Sequence, residues 1–301
     1  MAMPYFTMRD GAKIHAYVMG KGEPCILLHG FAGDARIWLP FVASFLGHHR
    51  FILPDLRGFG RSINAPIRGN CALSQFVEDV EDLMDTLHCK KAGLGGLSMG
   101  AYTCLHHQKV NRFRNISRCF IVDHAPKAVS SPEWRYGMHP VLIDLSRQVV
   151  ACFESEKLDD PEMPFHELPS SFRQLYLKVF RALMVYCFPR PYQKWIVRTG
   201  SRTQLYVKTY VLNCSWYAAT KCLSSYIHQD YDMRGGLKEI TIPITIMMGM
   251  QSEVFPNPGV LYLNQQIPQS RLVKFAHSGH ALFLTEPVKF WRELKRFLQD
   301  Q

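Results

Sequence analysis

No stretch of this sequence approaches eighteen consecutive apolar residues, so a membrane-spanning helix is not expected. The opening residues, Met-Ala-Met-Pro-Tyr-Phe-Thr-Met-Arg-Asp, lack the charged region and apolar run of an export signal, and a cytoplasmic location is the expectation. There is no C-x-x-C pair either. The nine cysteines are odd in number and scattered, which argues for reduced thiols and against a disulfide framework or a zinc site. Acidic residues are few beside basic ones, 25 against 35, and the net charge is +10. Cations such as Arg173, Lys178, Arg181, Arg190, Lys194 and Arg198 are spread along one middle segment without a nucleic-acid-binding module. No nucleic-acid partner is therefore expected, while attraction of an acidic substrate or a membrane surface stays open. Hydrophobic residues are not scarce: at 47% of 301 residues they exclude disorder and suffice for one large α/β domain, with or without an insertion.

Along the chain, residues 6–8 and 14–18 flank the turn-forming Arg9-Asp10-Gly11 and predict an antiparallel edge. Short, largely apolar runs at 24–28, 51–53, 91–94, 118–122, 242–249 and 271–275 read as buried strands. Helical spacing is predicted between them, from about Asp34 to Leu46, over 73–88, after Met99, after Pro258 and over 287–298. The alternation stops between 128 and about 238. Aromatic-rich helical segments at 141–153, 172–188 and 205–226 replace it there. The predicted fold is a mostly parallel, twisted sheet flanked by helices, with a core of residues 1–127 and 239–301 and an inserted helical cap, or lid, at 128–238.

Several loops at the carboxyl ends of these strands carry chemistry, and open α/β sheets place their sites there. Gly96-Leu97-Ser98-Met99-Gly100 has glycines two before and two after a serine, which lets the chain turn sharply from strand to helix with the hydroxyl held out. His29-Gly30-Phe31-Ala32-Gly33 follows a buried strand and can offer backbone N–H groups to a negative oxygen. Asp123 ends the strand at 118–122, Gly249 ends another, and His280 closes Ala276-His277-Ser278-Gly279-His280. Asp55 and Arg57 are expected to fix their loop by charge-assisted hydrogen bonds rather than to act on a substrate. His277, His48-His49 and His106-His107 read as surface or structural residues.

With His29-Gly30-Phe31, Asp55-Leu56-Arg57-Gly58-Phe59-Gly60-Arg61-Ser62, Gly96-Leu97-Ser98-Met99-Gly100 and Ser278-Gly279-His280 in this order, the chain closely resembles the α/β-hydrolase superfamily. The resemblance implies that Ser98 is a nucleophile, His280 its general base, and the N–H groups of Phe31 and Met99 an oxyanion hole. It implies no metal and no cofactor. For the triad acid, the superfamily often has glycine, two residues, aspartate, three residues, proline. Here Gly249-Met250-Gln251-Ser252-Glu253-Val254-Phe255-Pro256 keeps the length but has Ser252 at the aspartate's place. Asp123 is the preferred candidate and Glu253 the alternative. Ser98 also argues against the dehalogenase and epoxide hydrolase branches, which use aspartate at this turn. Asp123-His124-Ala125-Pro126-Lys127 and Glu133-Trp134-Arg135-Tyr136-Gly137 resemble, more weakly, a bacterial subgroup near the arylesterases and cofactor-free haloperoxidases.

The expected function is a serine hydrolase that cleaves a small-molecule carboxylic ester, lactone or thioester through an acyl-enzyme. The alternatives are a C–C bond hydrolase or perhydrolase on the same triad, or a ligand receptor of the same fold. His29, Gly30, Trp134 and Tyr136 are candidate substrate-binding residues. The cap aromatics, among them Phe153, Phe165, Phe172, Tyr176, Phe180, Trp195, Tyr210, Trp216 and Tyr217, suggest an apolar acyl or aryl pocket, with most of them packing and a minority touching substrate. A homodimer is compatible with all of this.

Overall fold

Strand Glu23–Leu28 shows how the sheet is buried on both faces. Ile26 and Leu28 point to one apolar layer and Cys25 and Leu27 to the other, with none of the four exposed. In the computed structural model, which describes residues 4–201, 203, 213–229 and 231–299, this strand (β3) lies within an eight-stranded sheet. The strands are β1 (Tyr5–Thr7), β2 (Lys13–Gly20), β3, β4 (His49–Pro54), β5 (Ala92–Leu97), β6 (Ile116–Val122), β7 (Ile244–Gly249) and β8 (Ser270–Phe275). Their order is β1-β2-β4-β3-β5-β6-β7-β8. β1 and β2 pair antiparallel and β2 joins β4 antiparallel, whereas every pairing from β4 to β8 is parallel. The fold expected from the sequence is the fold observed.

Helices α1 (Ala72–Thr86), α2 (Met99–Asn111), α7 (Asn257–Gln266) and α8 (Pro287–Gln299) cover the sheet. α8 turns Phe290, Leu294 and Phe297 onto Trp38, Phe120 and Phe275 on one face. Residues 35–45 make short helical turns instead of the one helix expected: Asp34 caps the first by accepting from the Arg36 N–H, and Pro40 removes a helical donor.

Between β6 and β7 lie α3 (Pro140–Ser155), α4 (Ser170–Tyr186), α5 (Pro191–Gly200) and α6 (Trp216–His228). α5 is not among the helices expected from the sequence, and residues 205–212 of the expected helix at 205–226, Tyr210 among them, lie outside the described residues. Phe153, Phe172, Tyr176, Phe180 and Trp216 pack ring against ring, 4.7–6.5 Å between centroids, and hold α3, α4 and α6 together. They join the same apolar cluster as Ile26, Leu28 and Ile121 of the sheet, so these helices have no separate core. Among the described residues, no helix is long and apolar enough to cross a membrane.

The loop after β4 is held by charge. Asp55 accepts from the N–H groups of Ala35 (2.7 Å) and Arg61 (3.1 Å) and from His15 Nδ1 (2.8 Å). Arg57, fully buried, grips Asp79 through Nε (2.7 Å) and Nη2 (2.6 Å) and reaches Asp10 at 2.6 Å. The guanidinium holds the Asp10 carboxyl down at about 2. Removing one member of a buried ion pair strands the other in a medium that cannot solvate it. Arg57→Met should therefore cost about 3–5 kcal/mol in urea unfolding, and a loss below about 1 kcal/mol would show that Asp79 finds other solvation.

Candidate active site

β5 ends in Gly95-Gly96-Leu97, and at Ser98 the backbone swings to φ 52°, ψ −113° before α2 begins at Met99. A non-glycine residue adopts this conformation only when its surroundings impose it. Here the Ser98 N–H donates to the Val122 carbonyl (3.1 Å), and its carbonyl accepts from Tyr102 as the first helical bond (2.9 Å). A Cβ on Gly96 would lie 2.1 Å from the Gly100 carbonyl carbon, and one on Gly100 would lie 2.4 Å from the Leu28 oxygen. The paired glycines are thus a steric requirement of the turn.

Three side chains from three strand ends meet there. Ser98 Oγ and His280 Nε2 are 2.8 Å apart, and His280 Nδ1 is 2.8 Å from Asp123 Oδ2. An ionised carboxylate only accepts, so the proton sits on Nδ1 and Nε2 is left to accept from the serine hydroxyl. Asp123 is fully buried and also accepts from the Gly249 N–H (3.0 Å) and the Ser252 hydroxyl (2.6 Å). Glu253 is not in this chain. It pairs with Lys194 at 2.6 and 2.7 Å and its side chain is 38% exposed. Ser252, at the position where aspartate was looked for, thus bonds the carboxylate contributed by the neighbouring strand. That contact was not anticipated, although the motif's length pointed to the residue.

The loop 29–33 lies against this turn, with Gly30 so close that a Cβ on it would meet Ser98 Cβ at 3.3 Å. The Met99 N–H is the first of α2 and has no intrahelical acceptor. Phe31 lies over the turn and, with Ser98, borders two cavities. The smaller, about 60 Å³, runs beneath α3, α4 and α6 and is lined by Met99, His124, Leu142, Val179, Leu223 and Phe255 among others. The larger, about 360 Å³, opens between loop 30–33, His280, Phe283, Leu284 and the Ile196–Ser201 end of the α5 region. Leu183 also borders both.

Gly30 is at the site, but three candidates for substrate contact are not. His29 is sealed in the interior, its Nδ1–H donating to the Gly30 carbonyl (2.8 Å) and its Nε2 accepting from the Leu56 N–H (3.0 Å), and burial pushes its pKa down. It ties two loops together. Trp134 is buried with its Nε1–H on the Lys127 carbonyl (2.9 Å), and its ring packs on Tyr136 and Tyr262. Neither Trp134 nor Tyr136 lines either cavity. The expected aromatic pocket is corrected likewise: of the described cap aromatics named from the sequence, none lines either cavity, because Phe153, Phe165, Phe172, Tyr176, Phe180, Trp216 and Tyr217 pack on one another and Trp195 is exposed. Tyr226, Phe188, Phe255 and Phe283 supply the aromatic walls instead.

Strand order, the strained serine between glycines and the histidine on the last strand's loop define an α/β hydrolase. Residues 23–287 match the model of the family described as the alpha/beta hydrolase fold, and the chain belongs to that family. It is 25% identical over 279 residues to a pimeloyl-[acyl-carrier protein] methyl ester esterase of Nitrosomonas europaea, covering 93% of this chain and 97% of that protein. Among solved structures, an esterase of Exiguobacterium antarcticum superposes with a TM-score of 0.74 at 26% identity, covering 99% of this chain and 100% of the other. A bromoperoxidase of Bacillus anthracis, at 20% identity and TM-score 0.77 over 99% and 100% of the two chains, shares the fold.

The glycine requirement is testable without any substrate. Gly96→Ala should cost at least about 1–3 kcal/mol in denaturant unfolding, as overpacking does. Gly47→Ala, with nothing within 4 Å of the added methyl, should fall within about 0.5 kcal/mol of the parent. Equal effects at the two positions would remove the steric account.

Proposed function

We propose that this protein is a serine esterase that cleaves carboxylic esters through an acyl-enzyme. The single observation that carries this is the Ser98–His280–Asp123 hydrogen-bonded chain at the mouth of two apolar cavities. The esterase names of the relatives at 25% and 26% identity support the same reaction class. In this reading Ser98 Oγ attacks the ester carbonyl while His280 Nε2 takes its proton. The Phe31 and Met99 N–H groups receive the developing oxyanion. His280 then hands the proton to the leaving oxygen, and a water repeats the sequence to free the acid. Asp123 fixes the imidazole tautomer and stabilises its cation. Residues 128–238 act as the cap over the site, and the nine free cysteines support a reducing, cytoplasmic compartment.

The two cavities then divide the ester. His280 must reach the leaving oxygen, and it lines only the larger cavity, so the alcohol lies there and the acyl chain takes the smaller one beside Met99. The cavity beside Met99, about 60 Å³ against about 360 Å³ on the His280 side, is the tighter of the two, so the acyl group is the shorter part of the ester.

Three experiments test the reading. A fluorophosphonate probe should label the protein at Ser98 and fail on Ser98→Ala; no labelling of the parent would end the proposal. Asp123→Asn should lower turnover by on the order of 10⁴, and Glu253→Gln by no more than a few-fold; the reverse order would reassign the acid. In a p-nitrophenyl ester series, kcat/KM should peak between acetyl and butyryl and fall at least about tenfold by octanoyl, one order per 1.36 kcal/mol of lost fit. A rise with chain length would invert the assignment of the cavities.

A further inference from the structure

The smaller cavity has apolar walls, yet two of its lining residues, His124 and Tyr226, carry polar atoms that hydrogen-bond to none of the described residues. His124 is buried between Tyr102, on which it stacks (ring centroids 4.2 Å apart), and the tilted ring of Phe255 (4.1 Å). Its Nδ1 lies 2.6 Å from the Ala125 carbonyl. A carbonyl only accepts, so Nδ1 carries the proton, and burial pushes the His124 pKa down to about 3, which leaves the ring neutral. The lone pair is therefore on Nε2, and Nε2 has no hydrogen-bond partner among the described residues. It differs in this from His107, whose two partnerless nitrogens are sealed inside the packed interior, since His124 borders the cavity next to Ser98. Tyr226 borders the same cavity, and its hydroxyl likewise has no hydrogen-bond partner among the described residues.

We infer that His124 and Tyr226 form a polar subsite selecting short acyl groups that carry a hydroxyl. The inference rests on the esterase reading above and deepens it. A hydroxyl is the group that fits both partners, since it can donate to His124 Nε2 and accept from the Tyr226 O–H. A ketone cannot donate to the imidazole, and an ammonium or carboxylate would pay the desolvation of a charge among Leu142, Val179 and Leu223. An unsubstituted acyl chain would enter, but it would leave both polar groups dry and unpaired, a cost a site built around a hydroxyl converts into discrimination.

The test compares the ethyl ester of butyrate with those of 2-, 3- and 4-hydroxybutyrate on the full-length protein. At least one hydroxylated isomer should exceed butyrate in kcat/KM by tenfold or more. His124→Phe keeps a flat ring in the same stack and removes the acceptor, and it should lower kcat/KM for the preferred hydroxy isomer about tenfold more than for butyrate. His124→Gln, which restores an acceptor, should recover part of that difference. Tyr226→Phe should also narrow the ratio. Equal losses on both substrates, or a parent ratio near one for every isomer, would overturn the subsite and leave His124 as packing with an adventitious water. Absence of turnover together with absence of Ser98 labelling would instead overturn the esterase reading beneath it.

Discussion

The buried carboxylate of Asp123 is the group on which the arrangement at the sheet's carboxyl edge depends. It receives the Gly249 N–H from the end of β7, the Ser252 hydroxyl from the loop beyond, and the Nδ1–H of His280 from the loop after β8. A fully buried anion is tolerated only where such donors replace its hydration. Three donors from two segments therefore fix one oxygen pair, and with it the plane of the imidazole. The Ser98 turn is fixed separately, by the Val122 carbonyl and by glycines with no space for a methyl. The 2.8 Å contact between Ser98 and His280 is where two independently braced units meet.

The order of the strands makes this possible. β5, β6 and β7 are neighbours in the sheet, so Ser98, Asp123 and Gly249 end side by side although 151 positions separate the first from the last. β8 lies one strand further out and returns His280 over that edge. With parallel strands, every such residue emerges on the same side. The long insertion between β6 and β7 leaves from that side too, which places α3, α4 and α6 over the serine without breaking the sheet.

Much of this was legible in the sequence because local chemistry dictates it. Two glycines around Ser98, short apolar runs between helical stretches and the Asp55-to-Ser62 loop each have one favourable outcome, and strands, turn and braced loop are found at those places. The family pattern also narrowed the acid to Asp123 and Glu253, but spacing alone could not decide between them. What separates them is a contact far along the chain: Lys194, on a helix the sequence did not announce, draws Glu253 away. The same limit explains the aromatic residues. Composition counts rings, while packing decides which rings have partners, and Phe153, Phe172 and Trp216 found each other before they could reach a ligand. His29 and Trp134 illustrate a related limit of sequence pattern. A polar side chain beside a site is as often a strut as a contact, and only its hydrogen bonds tell the two apart.

His29 and His124 put that distinction in its sharpest form. Both are buried, both donate Nδ1–H to the carbonyl of the next residue, and burial lowers the pKa of both. In His29 the remaining nitrogen accepts from the Leu56 N–H, so the ring closes a connection between two loops and has nothing left to offer. In His124 the remaining nitrogen meets the cavity and no partner among the described residues. The place between Tyr102 and Phe255 would be filled as well by phenylalanine if packing were its whole purpose, and what histidine adds there is the second nitrogen. That one difference in the second nitrogen is what the inferred subsite rests on: His29 has spent both nitrogens on the protein, and His124 has spent one.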